Sequence, residues 1–216
     1  MPVVPNRGGV EAPRDLVALG LQAARNAIET EAAAVSALAD RLDGVFLDVL
    51  IAVAGCEGHL VVTGLGKSGL VGRKIAATLA STGTPATFIH SGDALHGDSG
   101  AVTNRDLVLA LSASGETAEV CAFARMLVER EIPVIAMTGN EESTLARIAT
   151  FTLDTMVLRE ADPLNLAPTA STTATLAMGD ALACALVVLR DFSHHDFARF
   201  HPSGALGRRL LQGDDA

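Results

Sequence analysis

The sequence predicts an α/β fold, a parallel sheet covered by helices on both faces, and three observations carry that prediction. Short apolar runs recur at residues 60–63, 86–89, 107–111 and 134–137, with a weaker fifth at 151–153. Helix-period segments separate them at residues 70–79 and 118–129, and Ser143 is placed to cap a short helix before the fifth run. The runs give way to loops bearing Gly, Ser or His, at the carboxyl ends of strands where ligands bind in such sheets. Runs that are apolar throughout fit strands buried on both faces.

Taken in order, residues 1–12 are rich in Pro and Gly and read as a disordered tail, leaving one domain over 13–216. Asp15 is placed to cap a long helix in which Leu16, Leu19, Ala23, Ala27, Val35 and Leu38 recur at helical spacing. A second helix over 43–54 stops at Gly55. After the first strand comes a glycine loop, and after the second a loop from His90 to Asp98. Beyond the fifth strand, a Pro-containing approach over 159–168 leads into a helix running to Leu189, and a final segment spans 194–211.

Composition narrows the classes. Net charge is −9, with no Trp, no Tyr and no long basic run, which argues against nucleic acid as a partner. Hydrophobic residues make up 49% of the chain. The longest unbroken apolar run, 181–189, is too short to cross a bilayer, and the amino terminus lacks the apolar core of a signal peptide. The expectation is a cytoplasmic protein without membrane contact, its apolar excess spent on buried helices and subunit interfaces. Cys56, Cys121 and Cys184 form no metal-spaced pair, which fits a reducing compartment.

Chemistry concentrates after the third strand. Ser112-Ala113-Ser114-Gly115-Glu116-Thr117 leads from a strand into a helix N-terminus, gathering backbone N–H groups and three hydroxyls around one point. The partial positive charge of a helix N-terminus suits a phosphate there. An ordinary turn with Ser112 or Ser114 as the helix cap reads equally from these residues. Glu116 sits awkwardly in such a cradle, because a carboxylate repels an anion.

Gly64-Leu65-Gly66-Lys67-Ser68-Gly69 fits the spacing of a dinucleotide fingerprint and echoes a P-loop, yet satisfies neither. The P-loop needs a glycine where Val61 stands, and the dinucleotide fold needs an acid where Ile89 and His90 stand. What remains is a tight turn that presents Lys67 to an anion or a developing oxyanion. His90, Asp93, His96 and Asp98 share one loop but match no zinc spacing, so a substrate-contacting or interface histidine is the better reading. Glu160 precedes the rigid Pro loop, and His201 is biased toward extended backbone by Pro202. His194 and His195 read as surface.

Together these segments are recognisable. The glycine turn, Ser81-Thr82-Gly83-Thr84-Pro85, His96-Gly97-Asp98, the Ser112–Glu116 loop, Leu166-Ala167-Pro168-Thr169 with Ser171-Thr172-Thr173, Met178-Gly179-Asp180-Ala181-Leu182, and His201-Pro202 with Gly204-Ala205-Leu206-Gly207 resemble the arabinose 5-phosphate isomerases of the sugar isomerase (SIS) superfamily. The resemblance runs from about Ala18 to Leu211. It implies a three-layer sandwich with a five-stranded parallel sheet, a homotetramer with active sites between subunits, and interconversion of D-ribulose 5-phosphate and D-arabinose 5-phosphate. That reaction opens the route to Kdo, the acid sugar of lipopolysaccharide. Lys67, Glu116, Glu160 and His201 match the catalytic set, and Ser112, Ser114 and Thr117 match the phosphate loop. Gly66, Ser68, His96 and Thr169 complete the expected substrate contacts.

No cofactor is expected. An inhibitory zinc near His90 carries over from some members, and CMP-Kdo is a candidate end-product ligand. Many relatives continue into a pair of CBS domains, whereas this sequence stops at Ala216 and reads as a naturally short form or a truncated one. Ala113, Asp162, Asn165 and Ser203 stand where Asn, Cys, Gly and Gly are common.

The implied chemistry is a proton shuttle between carbons 1 and 2 through an enediol, with His201 or Glu160, its carboxyl raised by desolvation, as carbon base. Glu116 would assist at oxygen and Lys67 would stabilise the enediolate. Rival readings are an isomerase for another sugar phosphate, such as a heptose phosphate, and a non-catalytic module that senses a phosphosugar.

Overall fold

The computed structural model describes residues 14–202 and residue 209. The tail at 1–12 and the Ser203–Gly207 part of the carboxy-terminal motif lie outside the described residues. The order is α1 (Arg14–Ser36), α2 (Gly44–Ala54), β1 (Leu60–Gly64), α3 (Gly66–Ser81), β2 (Ala86–His90), α4 (Ser91–Ala94), β3 (Leu107–Leu111), α5 (Ala118–Glu129), β4 (Val134–Thr138), α6 (Thr144–Ile148), β5 (Phe151–Asp154), α7 (Ala170–Leu189) and α8 (His194–Phe200). Single 3₁₀ turns lie at Ala39–Arg41 and Asp98–Ala101.

The five strands form one sheet in the order β2-β1-β3-β4-β5, every pair parallel. Each expected strand is present, extended by one residue at its carboxyl end in β1, β2, β4 and β5. Side chains alternate between two cores, as the two-residue period of a strand requires. Leu60, Val62, Leu107, Leu109, Leu111, Ile135 and Met137 face α2, α3 and α7, whereas Val61, Val108, Ala110, Val134 and Ala136 face α4, α5 and α6. Both faces are therefore covered, which explains runs that are apolar without alternation.

Several boundaries differ from expectation. Asp15 lies in the first turn of α1, which starts at Arg14, and so is not its cap. Asp43 does cap α2, accepting from the N–H groups of Val45 and Phe46. The glycine turn is tighter than a loop, because α3 begins at Gly66 and carries Lys67, Ser68 and Gly69 in its first turn. Gly64 and Gly69 make that possible. A side chain on Gly69 would lie 3.0 Å from the carbonyl oxygen of Gly64, so strand and helix meet backbone to backbone.

α7, with 20 residues, is long and apolar enough to cross a membrane by length and composition, which the run-length argument did not foresee. In the fold its apolar character goes into packing. Ala170, Ala174, Met178, Leu182 and Leu186 are buried beneath α1, α2 and α3. A methyl at Gly179 would collide with Ile75 of α3, so the two helices cross at closest approach there. By contrast α1 leaves Val17, Leu21 and Ile28 at least 57% exposed along one helical stripe.

Candidate active site

Because every strand is parallel, all carboxyl ends open on one edge. The register carries a row across it: His90 beside Gly64, Gly64 beside Leu111, Leu111 beside Met137, Met137 beside Leu153. The chain runs outward from β1 to β2 and then returns to β3 on the other side of β1. That reversal is the topological switch point, where a crevice opens between the β1–α3 and β3–α5 connections. The glycine turn with Lys67 occupies one lip and residues 112–117 the other.

The second lip is built from hydroxyls. Ser112, 2% exposed, places its Oγ 2.9 Å from the Thr117 hydroxyl and accepts from the Gly115 N–H at 3.1 Å. The Ser114 hydroxyl accepts from the Glu116 N–H at 3.2 Å. Gly115 has φ +68°, and its carbonyl accepts from Leu145 N–H and the Cys121 thiol. Neither serine caps α5, as an ordinary turn would require. The N-cap residue is Thr117, whose hydroxyl is turned to Ser112 and makes no cap bond. Among the described residues, the first-turn N–H groups of this 12-residue helix have no side-chain acceptor. A hydroxyl-lined loop ahead of an uncapped helix end is suited to a phosphate.

The two glutamates of the expected set have structural partners. Glu116 is exposed and accepts from the Thr144 N–H at 2.8 Å, which resolves the electrostatic conflict in the cradle. Hydrogen bonds from Thr144 hold its carboxyl below the usual range, with Arg147 and Arg125 adding to the effect. The sequence reading passed over Glu119, half-buried in the first turn of α5, which makes no side-chain hydrogen bond to a described residue. Its position just inside the helix that the loop feeds was the available signal.

Glu160 is half-buried on the loop after β5. Its carboxylate accepts from Thr169 N–H at 2.8 Å, Thr169 Oγ1 at 3.1 Å, Ser171 N–H at 3.2 Å and the Ser171 hydroxyl. Burial pushes its carboxyl up, but those donors more than offset it, so the group lies below the ordinary range. This reverses the expectation that desolvation raises Glu160 toward neutrality. Thr169 is therefore a partner of Glu160. Asp162 and Asn165 brace the same loop: Asp162 accepts from Leu164, Leu166 and Ala167 N–H, and Asn165, at φ +57°, accepts from Glu160 N–H.

The remaining candidates separate. Lys67 and Gly66 are exposed and Ser68 half-buried on the first lip, and His96 is exposed in the turn after α4. His90, half-buried beside Gly64, has Asp93 Oδ2 3.6 Å from its Nδ1. Among the described residues no three His, Cys, Asp or Glu side chains gather as a metal site. His90 with Asp93 falls short of zinc's usual three protein ligands, so the donor set does not fit.

His201 lies elsewhere. It ends α8, with Nδ1 2.9 Å from the Phe197 carbonyl and its ring stacked 4.0 Å from Phe197. Phe200 of that helix stacks on Phe192, which packs against Gly83 at the start of the β2 connection. Arg190, at the end of α7, donates to the carbonyls of Val53 and Ala54 just ahead of β1. α7 spans about 30 Å from Glu160 to that edge. Within one chain His201 is thus at the amino edge of the sheet, opposite the crevice.

The fold defines a class, the parallel α/β proteins whose sheet opens a crevice at the switch point beside a helix N-terminus. Within it the chain belongs to the SIS domain family, whose model matches residues 55–185. It is 52% identical over 191 residues to arabinose 5-phosphate isomerase KdsD of Pseudomonas aeruginosa, covering 88% of this chain and 59% of the relative. It is 56% identical over 156 residues to KdsD of Escherichia coli K12, covering 72% and 48%. The chain thus spans between about half and three fifths of the curated relatives it matches. The solved structure of E. coli CFT073 c3406 in complex with A5P superposes with a TM-score of 0.81 at 38% identity, covering 89% of this chain and all of that one.

Proposed function

We propose that the protein is an aldose–ketose isomerase that interconverts D-arabinose 5-phosphate and D-ribulose 5-phosphate. The uncapped N-terminus of α5 behind the Ser112–Thr117 loop is the observation that carries this reading, because it supplies a phosphate seat at the switch point. The names of the relatives point to the pentose phosphate. With phosphate fixed on Ser112, Ser114 and Thr117, the sugar's reacting carbons extend across the crevice.

One base takes the proton from carbon 2 of the aldose, and the electron pair moves into an enediolate. The protonated base, which exchanges with solvent, delivers a proton to carbon 1, while a proton moves from the carbon-2 hydroxyl to the carbon-1 oxygen. Glu160, a carboxylate at neutral pH whose orientation its hydrogen bonds fix, is the base in this reading. Lys67 offsets the negative charge of the enediolate. Glu116 and Glu119 are the carboxylates beside the phosphate loop, and of the two Glu119 is uncommitted among the described residues. No step runs through a metal.

His201 enters only from a second copy, since its own crevice is at the far edge. The exposed apolar stripe of α1 supports assembly, and a homotetramer with shared sites is the arrangement we infer. On this reading the aldose, formed when the reaction runs from the ketose, feeds Kdo formation in the cytoplasm, and CMP-Kdo is the feedback ligand to try. The test is turnover of arabinose 5-phosphate by metal-free protein, followed by solvent deuterium uptake into the product. A mixture of Lys67→Ala and His201→Ala chains, each inactive alone, recovers turnover through hybrid sites. Thermal stabilisation by the sugar phosphate with no turnover refutes the isomerase and leaves a sensor.

A further inference from the structure

Glu160 is on a loop, yet its carboxylate is anchored to the first turn of α7. Ser171, 6% exposed in the first turn of α7, gives it two of the four donors: its N–H to Oε2 at 3.2 Å and its hydroxyl to Oε1. Ser171 is the only described residue that reaches both oxygens. Thr169 bonds Oε2 alone, and its hydroxyl also accepts from the Ala161 N–H at 2.8 Å, fixing the backbone after Glu160. Ser171 is itself packed in, near the fully buried Ala170 and Ala174, with its carbonyl accepting from the Thr175 hydroxyl at 2.8 Å.

We propose that Ser171 is the positioning residue for Glu160, orienting the carboxylate of a loop residue from the packed first turn of α7. This rests on the isomerase reading, in which Glu160 is the carbon base. A base held at one oxygen swings about that contact, and one held at both presents a fixed lone pair to the carbon-bound proton. Misplacement of about 1 Å costs up to about 10²-fold in rate. Loss of one of four donors falls below that limit, at about tenfold. The phosphate seat is on a different element, so substrate affinity is unaffected.

The experiment measures kcat and KM for arabinose 5-phosphate in Ser171→Ala, Ser171→Cys and Glu160→Gln. Ser171→Ala is expected to lower kcat about tenfold with KM within twofold of the parent. Ser171→Cys, with a weaker donor of similar size, falls between them, and it stands in should the alanine variant fail to fold. Glu160→Gln loses turnover. If Glu160→Gln is inactive while the serine variants keep the parent kcat, the positioning role is overturned and the base assignment survives. A rise in KM that matches the fall in kcat also overturns it, because Ser171 then contacts substrate. Full turnover by Glu160→Gln overturns the base assignment and the proposal together.

Discussion

Gly115→Ala is the sharpest probe of the phosphate seat. Gly115 has φ +68°, and a methyl there would collide with the Oγ and Cβ of Ser143 and come within 2.9 Å of Thr138 Oγ1. The left-handed backbone costs a non-glycine residue about 1–2 kcal/mol. Relief of the collision displaces Ser143, whose hydroxyl caps α6 by accepting from the Ala146 N–H, and loss of such a cap costs about 1 kcal/mol. The combined loss of about 2–3 kcal/mol lowers the midpoint of a domain this size by about 4–12 °C. The loop also shifts away from α5, so KM for the sugar phosphate rises, by about tenfold for the loss of a charge-assisted contact. Thermal unfolding and steady-state kinetics read both effects. Adding Ser143→Gly removes the collision at a cost of only a few tenths of a kcal/mol as a cap, so the double variant recovers KM but keeps the backbone penalty. A single variant with parental midpoint and KM would refute the reasoning, since it would mean the loop has room that the geometry denies.

Two further outcomes follow. Glu119→Gln is expected to lower kcat about 10²-fold, against a smaller loss for Glu116→Gln, whose carboxylate is bonded to Thr144; the reverse order in kcat would return the role to Glu116. Asp106 accepts from His59 N–H, Thr103 N–H and the Thr103 hydroxyl, and although burial pushes its carboxyl up, these bonds hold it below the ordinary 3.8. A carboxyl depressed in the folded state stabilises above 3.8, and that stability is lost as pH falls through the lower folded value. Midpoints measured from pH 7 downward should therefore fall less steeply in Asp106→Asn than in the parent.

What was legible in the sequence depended on how far apart the deciding contacts lie. The strands were readable because Leu107–Leu111 carries its own evidence, apolar on both faces and ended by Ser112. Ser143 was readable as a cap for the same reason, since a cap and its N–H partner are within three residues. The glutamates were not. Glu116 meets Thr144 across 28 residues and Glu160 meets Ser171 across 11, so the sign of each pKa shift depended on a helix N-terminus that only the fold brings near. Burial alone pointed Glu160 upward, and four donors reverse it. His201 shows the same limit at a larger scale, because its residue type and its Pro neighbour say nothing about which edge of the sheet it occupies.

That separation of His201 from the crevice has a consequence for how the site would work. Lys67, the Ser112–Thr117 loop, Glu119 and Glu160 converge on the carboxyl edge by virtue of parallel topology alone, since every β-to-α connection opens there. They can seat a phosphate, offset charge and offer an ionised base within a single chain. An imidazole, which can both take and give a proton, is what they lack. His90 ends β2 at that edge, but it faces Asp93 at 3.6 Å and closes on the Gly92 turn. If His201 serves instead, the monomer binds the sugar phosphate but does not turn it over. Dilution below the assembly constant would then lower kcat while leaving ligand binding intact. A monomer with full turnover would remove His201 from the mechanism and move the acid–base role to His90 or Glu119.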